Sequence, residues 1–378
     1  MWKHRCTLPF HHIAVRPDGK INPCCYFRQE HVPESLNISY SDPFHHPFLE
    51  DLRRRMINDE YIEGCSKCYA DEAASGTSMR LDMNDPSTDF GLPEKNRGEY
   101  TKLTNLDFAF SNVCNNKCRI CGPELSTQWY SDAKKMDYGF EHRGIISTNT
   151  VIDDCDLKDL KFIKMLGGEP LMEQEKFIKL LKKCNLPELE ILLVTNTTKR
   201  PNQELTDLLK KCKNINLTFS IDGHGKMNNF LRKGSDWQQV ENNVKWFKET
   251  FQDCSMSFNV HSVISLYNIN QVDRLVKWCQ KHELNHNNVV VDGPNWIMPR
   301  NLPDSVKKEL IEILIKQKKS HQSKKIFNLL IDELKQDGDF GMFIRNDINL
   351  NKIRNEHWKD LNPWLWKRIE KYITDDIL

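Results

Sequence analysis

The stretch Lys102-Leu-Thr-Asn-Leu-Asp-Phe-Ala-Phe-Ser-Asn-Val-Cys-Asn-Asn-Lys-Cys-Arg-Ile-Cys121 decides the fold. Lys102 to Phe110 mixes apolar and polar residues with two Phe and reads as a strand. The loop that follows carries Cys114, Cys118 and Cys121 in a C-x3-C-x2-C spacing. Pro123-Glu-Leu-Ser-Thr-Gln-Trp-Tyr-Ser-Asp-Ala-Lys-Lys135 then reads as a helix starting near the proline. A loop at the C-terminal end of the first strand is where an α/β barrel places its active site. Three thiolates on one short loop can hold three corners of a cubane iron–sulfur cluster. Such a cluster normally takes four cysteines, so this loop leaves one iron open for chemistry. The plainer alternatives are three unconnected cysteines or a zinc knuckle, although zinc needs a fourth ligand and usually takes C-x2-C pairs.

Beyond the loop the chain alternates strand-like and helix-like segments to about residue 295. The expected strands are 159–166, 189–195, 215–221, 256–264 and 288–292, and the expected helices 173–184, 202–212, 236–251 and 268–282. Alternation of this kind implies a parallel sheet with covering helices. With Lys102–Phe110 there are six β/α units, which predicts an α/β fold with a partial, open (β/α)6 TIM-like barrel. Four regions follow: a Cys-rich N-terminal module (1–80), a linker (81–100), the partial barrel (101–300) and a helical C-terminal extension (301–378) broken at Asp337-Gly338-Asp339. Pro47 to Asn58 reads as one helix, with the proline in its first turn.

The chain has 378 residues, a net charge of +1 and 39% hydrophobic residues. Its mean hydropathy is −0.63. A neutral surface gives no general electrostatic case for nucleic acid or an acidic membrane. No apolar run approaches a membrane span. Met1 to Cys6 is not followed by an apolar signal core, so a cytoplasmic location is expected. Thirteen cysteines without an export signal fit reduced thiols serving as metal ligands better than disulfides. The Lys-rich run 316–325 reads as a solvated helix face. Cys155, Cys184, Cys212, Cys254 and Cys279 read as packing, as do Trp358, Trp364 and Trp366. His11 and His12 read as surface or packing residues.

Gly167-Gly168-Glu169-Pro170 ends the second strand. The glycines allow close approach of the backbone to a ligand, and the carboxylate can accept hydrogen bonds from an ammonium. In order after C-x3-C-x2-C, this motif resembles that of the radical S-adenosylmethionine (radical SAM) enzymes. The resemblance covers about residues 100–295. It implies that the open iron is chelated by the amino and carboxylate groups of SAM, whose reductive cleavage gives a 5′-deoxyadenosyl radical. It also implies that Gly167, Gly168, Glu169 and Pro170 bind the SAM amino group. Asn196, Ser220 and Asp222, at the ends of the third and fourth strands, would face SAM ribose or carboxylate, and Arg232 would pair with a carboxylate. Ser262 and Val263 are candidates for the adenine. Asp222-Gly223 also reads simply as a turn.

A second thiol group lies in the N-terminal module. Cys6 is followed by Gly19 and Cys24, and much later by Cys65-Ser-Lys-Cys68. Asp18-Gly19 is a hairpin signal between Ile13–Val15 and Lys20–Ile21. Such a hairpin brings Cys6 and Cys24 together at its base, and Cys65 and Cys68, on a turn, complete a four-thiolate site. The pattern resembles the twitch module, a shortened SPASM auxiliary-cluster domain, here placed ahead of the barrel instead of behind it. The resemblance implies a second [4Fe–4S] cluster. Tetrathiolate zinc is the open alternative, and either Cys24 or Cys25 is the ligand.

These resemblances imply an enzyme that abstracts hydrogen from a substrate carbon. It needs a reducing partner such as flavodoxin or ferredoxin and possesses two clusters. Oxidation or cross-linking of a peptide is the first expectation. Dehydrogenation or rearrangement of a sugar, nucleotide or other small metabolite is the second. A non-catalytic zinc-binding protein is the third.

Overall fold

The computed structural model describes residues 3–85, 102–137, 157–320 and 324–373. Ten strands are present among them: β1 (His12–Val15), β2 (Ile21–Asn22), β3 (Asn105–Ala109), β4 (Lys117–Cys118), β5 (Phe162–Leu166), β6 (Glu190–Thr195), β7 (Asn214–Ser220), β8 (Arg232–Lys233), β9 (Met256–Ile264) and β10 (Asn285–Val290). Eight of these form one sheet in the order β10-β9-β7-β6-β5-β3-β1-β2. The six expected barrel strands, β3, β5, β6, β7, β9 and β10, all pair in parallel. The connections cover one face of the sheet, as in a TIM-like barrel left open.

Strand sequence explains which face is covered. On β6 and β7 burial alternates strictly. Ile191, Leu193, Ile215, Leu217 and Phe219 enter the main core with Phe177, Leu180, Leu205, Val244 and Phe247 of the surrounding helices. The opposite face carries Lys164, Thr218, Asn259 and His261, all half-buried, and Asn216 and Asn287, both exposed. Parallel sheets are normally covered on both faces, so this polar inner wall marks the open lumen of the barrel.

Three expectations need correction. The N-terminal module is not separate from the sheet. β1 and β2 form the hairpin turned at Asp18-Gly19, with Gly19 at φ +79°, but β1 also pairs in parallel with β3, so the hairpin extends the barrel sheet. The segment from 81 is not linker at its start, because Leu81–Asn84 belong to the helix Met79–Asn84, capped by Ser78; residues 86–100 lie outside the described residues. The helix after the cysteine loop does not begin at Pro123. Residues 122–126 form turns closed onto the Gly122 carbonyl, and Ser126 caps the 3-10 turn Thr127–Trp129 that leads into the helix Tyr130–Lys135. Smaller shifts place the last strand at Asn285–Val290 and split 268–282 into the 3-10 turn Ile269–Gln271 and the helix Val272–Lys281.

The C-terminal region is helical: Asp304–Ser320, Lys325–Leu334, Phe340–Arg354 and Pro363–Ile369. It forms a second core that includes Phe343, Leu350 and Trp358, and closes over Tyr267, Ile297 and Trp129 of the barrel. Trp358 is fully buried and donates its indole N–H to Asp347 at 3.0 Å. Lys316, Lys319, Lys324 and Lys325 are exposed. Cys279 is buried, Cys184, Cys212 and Cys254 are half-buried, and Cys155 lies outside the described residues.

Candidate active site and cysteine centres

Cys114, Cys118 and Cys121 lie on the loop that leaves the C-terminal end of β3. The loop is stiffened by β4, which pairs antiparallel with β8 and sets Cys118 opposite Arg232. The Cys114 and Cys118 side chains are buried and Cys121 is half-buried. Burial pushes the Cys114 thiol up to about 12, and neighbouring Cys118 adds to the rise. Cys121 is raised by burial and then by both other thiols. Cys118 is raised by burial, against the lowering effect of Arg232. Thiols gathered in this way would ionise together only beside a bound cation.

Gly167 and Gly168 press on this loop. Gly167 has φ +116°, and a Cβ there would meet the Ser111 carbonyl at 2.9 Å. A Cβ on Gly168 would meet the Val113 carbonyl at 2.2 Å. The Gly168 and Glu169 N–H groups donate to Ser111 and Val113 at 3.0 and 2.8 Å. The glycines are therefore required by the approach of two backbones, a purpose the sequence does not reveal. Pro170 opens the 3-10 turn Pro170–Met172.

The Glu169 carboxylate is buried. One oxygen accepts from Leu171 N at 3.1 Å and Thr195 Oγ1 at 2.8 Å, and the other from Asn196 N at 2.7 Å. Burial raises its pKa, while these donors oppose the rise. A carboxylate offers about four acceptor sites, so capacity remains for a further donor. Asn196 turns its amide toward the loop, to Asn115 Oδ1 at 2.9 Å and Cys114 Sγ at 3.8 Å. Ser220 is half-buried at the end of β7, beside His261 of β9.

Asp222 and Arg232 pair with each other, Arg232 Nε lying 2.8 Å from Asp222 Oδ2. Asp222 Oδ1 also accepts from Val263 N at 2.9 Å. Arg232 extends Nη1 toward Cys118 Sγ at 3.9 Å. Asp222 is thus committed to Arg232 and to the β9 backbone. Ser262, fully buried, gives its hydroxyl to the Ile221 carbonyl at 2.5 Å, which makes it a strut between strands.

The N-terminal thiols also converge. Cys6, Cys24, Cys65 and Cys68 line one pocket together with Met79 and Arg80. Cys65 ends the 3-10 turn Glu63–Cys65 and is the N-cap of the helix Ser66–Ser75, which carries Cys68 in its first turn; a helix N-terminus favours thiolates. Burial pushes Cys6 and Cys65 up to about 12, with the neighbouring thiols adding to it. Cys25 is exposed and outside the pocket lining, its thiol 3.8 Å from Met79 Sδ. Arg80, which sequence reasoning missed, is almost fully buried. It is held by Glu72 at 2.9 Å and the Arg5 carbonyl at 2.9 Å, and supplies the cation of this pocket. Nothing local in the sequence marks it.

Tetrahedral zinc, with Zn–S bonds of about 2.3 Å, requires sulfurs about 4 Å apart. Among the described residues no group of three or more His, Cys, Asp or Glu is gathered to hold a single metal ion. The four N-terminal thiols share the lining of one pocket, and the three loop thiols lie together at the C-terminal end of β3. His12, buried, lies between the Pro23 carbonyl (3.0 Å) and Asp107 (3.5 Å), and Lys164 approaches Asp107 at 3.9 Å on the inner wall. No helix among the described residues is long and apolar enough to cross a membrane.

Residues 108–289 match the Radical SAM superfamily, and residues 6–69 match SPASM, an iron–sulfur cluster-binding domain. No curated protein matches the chain in sequence. Among solved structures, native anSMEcpe with bound AdoMet aligns at 19% identity over 56% of this chain and 59% of that one, with a TM-score of 0.40. Streptococcus suis SuiB bound to S-adenosylmethionine aligns at 13% identity over 82% and 69%, TM-score 0.37. TYW1 with a lysine-pyruvate adduct aligns at 14% over 74% and 93%, TM-score 0.37.

Proposed function

The chain belongs to the radical SAM superfamily and carries a SPASM-type iron–sulfur domain ahead of its barrel, and from that premise we propose that it oxidises or cross-links a peptide held in the open barrel. Its family makes it an iron–sulfur-dependent enzyme with SAM and a [4Fe–4S] cluster as cofactors, and its SPASM domain adds auxiliary iron–sulfur. When bound, the loop cluster and SAM together supply a 5′-deoxyadenosyl radical able to take hydrogen from an unactivated carbon.

In this reading Cys114, Cys118 and Cys121 hold the SAM cluster, and Cys6, Cys24, Cys65 and Cys68 hold the auxiliary one. Gly167, Gly168 and Pro170 shape the cradle for the SAM amino group, and Glu169 accepts from it. Asn196 and Arg232 orient the cluster loop. Asp222 fixes Arg232, and Ser220 faces the bound cofactor. A reducing protein such as flavodoxin or ferredoxin delivers the electron.

The observation that carries the reading is the placement of the two thiol groups near opposite ends of the strands of one sheet. Cys114 follows the C-terminal end of β3. His12, at the start of β1, touches Pro23 next to Cys24, so the four-thiol pocket lies toward the N-terminal end. β3 spans about 16 Å between these levels, from five residues at about 3.3 Å each. The polar inner wall fills that interval. Its neutral amides, Asn216, Asn259 and Asn287, each donate and accept, which suits peptide groups. A carbon held there lies between a radical source and an electron acceptor, the arrangement that removal of two hydrogens demands.

The test is substrate-stimulated SAM turnover. Reconstituted, dithionite-reduced protein is offered synthetic peptides, free sugars or nucleosides. Peptides that raise 5′-deoxyadenosine formation and lose two hydrogens by mass support the reading. Stimulation by sugars or nucleosides alone would replace the peptide with a small metabolite.

A further inference from the structure

Arg119 lies inside the cysteine motif, immediately after Cys118, yet its side chain turns away from the thiols and is fully buried. A buried guanidinium is costly where its donors lack acceptors; Nε has no hydrogen-bond partner among the described residues, whereas Nη1 and Nη2 do. Most of its acceptors come from the far end of the chain. Nη1 lies 3.5 Å from Asp347 and donates to Tyr267 Oη at 3.2 Å. Nη2 donates to Glu356 at 2.7 Å and to Asn351. The guanidinium carbon stacks 3.8 Å from the Phe230 ring centre.

The same C-terminal segment grips the residues on either side of β4, the strand just before Arg119. Glu356 accepts from Lys233 at 2.9 Å, and Lys233 is the β8 partner of Lys117. Arg354 donates to Asp132 at 2.8 Å, and Asp132 accepts from Lys117 at 2.9 Å. Arg354 also covers the Trp129 ring at 4.5 Å, and that indole donates to the Cys118 carbonyl at 2.8 Å. Lys117, Cys118 and Arg119 are thus each tied, directly or through one residue, to 347–356.

Docking alone does not require this. Phe343, Ile344 and Leu350 already bury the helix against the second core. Buried ion pairs often add little stability over apolar contacts of the same volume, and in some proteins their role is to fix register. We infer that the C-terminal extension is a working part of the Cys114/Cys118/Cys121 site, and that Arg119 is a positioning residue through which helix Phe340–Arg354 and Glu356 set the geometry of the cluster loop. The inference rests on the loop's assignment as the SAM cluster site. Outer residues that orient metal ligands typically change affinity by about ten- to a hundredfold when removed.

The test compares wild type, Arg119→Met, Arg119→Lys and Glu356→Gln after anaerobic reconstitution. Glu356→Gln keeps the helix and most of the lattice, so it serves if Arg119→Met fails to fold. Iron content, the electron paramagnetic resonance spectrum of the reduced cluster with and without SAM, the SAM dissociation constant and thermal melting are measured. The expected result is iron retained in every folded variant, an altered spectrum, and SAM affinity weakened about tenfold or more in Arg119→Met, less in Glu356→Gln, with partial recovery in Arg119→Lys. Lower melting with unchanged spectrum and SAM affinity in the folded variants would make the lattice purely structural and overturn the inference. A wild type that binds neither iron at the loop nor SAM would instead sink the cluster assignment.

Discussion

Arg232 Nε lies 2.8 Å from Asp222 Oδ2, and both side chains are almost wholly out of solvent. The pair joins the end of β7 to β8 and aims a cation at Cys118. Arg232→Met leaves the Asp222 carboxylate buried and unpaired, and breaking such a pair costs about 3–5 kcal/mol. Urea unfolding is expected to show that loss, partly restored in the double variant Asp222→Leu/Arg232→Met, which still leaves the Val263 N–H without its acceptor. Partial recovery of stability with no recovery of SAM binding would separate the arginine's role at the loop from its role in the fold.

Glu169→Gln tests the buried carboxylate. Its two oxygens accept from Leu171, Thr195 and Asn196, and a glutamine must turn an NH2 toward one of those donors. The expected cost is about 1–3 kcal/mol for the group left unsatisfied. SAM binding, followed by equilibrium dialysis, is expected to fall more steeply than stability does.

Asp132 gives a pH signature. Burial alone would raise its pKa, but Lys117 and Arg354 override this and hold it below the usual carboxylate value of 3.8. A depressed folded pKa means that stability is present above the unfolded pKa and is lost as pH falls through the folded one. Protection of the helix Phe340–Arg354 amides, relative to their intrinsic exchange rates, is therefore expected to fall below about pH 4, and Asp132→Asn to flatten that dependence. An unchanged acid profile in Asp132→Asn would contradict the assignment.

Cys24 and Cys25 separate cleanly. In a background lacking Cys114, Cys118 and Cys121, Cys24→Ser is expected to lose most of the remaining iron and Cys25→Ser to keep about four per chain. Arg80→Met is expected to leave iron bound but more easily lost to chelator, because the pocket loses its cation.

Much of this architecture is legible in the sequence because the signals are local. Alternating burial on Glu190–Thr195 and Asn214–Ser220, and the 3.6-residue stripe of Phe177, Leu180 and Leu181, are written within each segment. The cysteine and Gly-Gly-Glu-Pro spacings are likewise short-range. What stays hidden is non-local. The pairing of His12–Val15 with Asn105–Phe108 depends on a contact across the whole N-terminal region. Arg119 looks like an exposed loop residue until Asp347 and Glu356 arrive from the opposite end of the chain. The helix expected at Pro123 yields to Ser126, whose hydroxyl donates to the Asn116 carbonyl at 2.6 Å and holds the intervening residues in turns.

Whether the loop thiols hold a cluster that cleaves SAM is decided by an iron count with a dithionite-driven 5′-deoxyadenosine assay, on anaerobically reconstituted wild type and a Cys114/Cys118/Cys121→Ala variant. About eight irons are expected in wild type and about four in the variant, with 5′-deoxyadenosine from wild type alone. Zinc in place of iron at both thiol groups, with no 5′-deoxyadenosine from either protein, would contradict the cluster assignment.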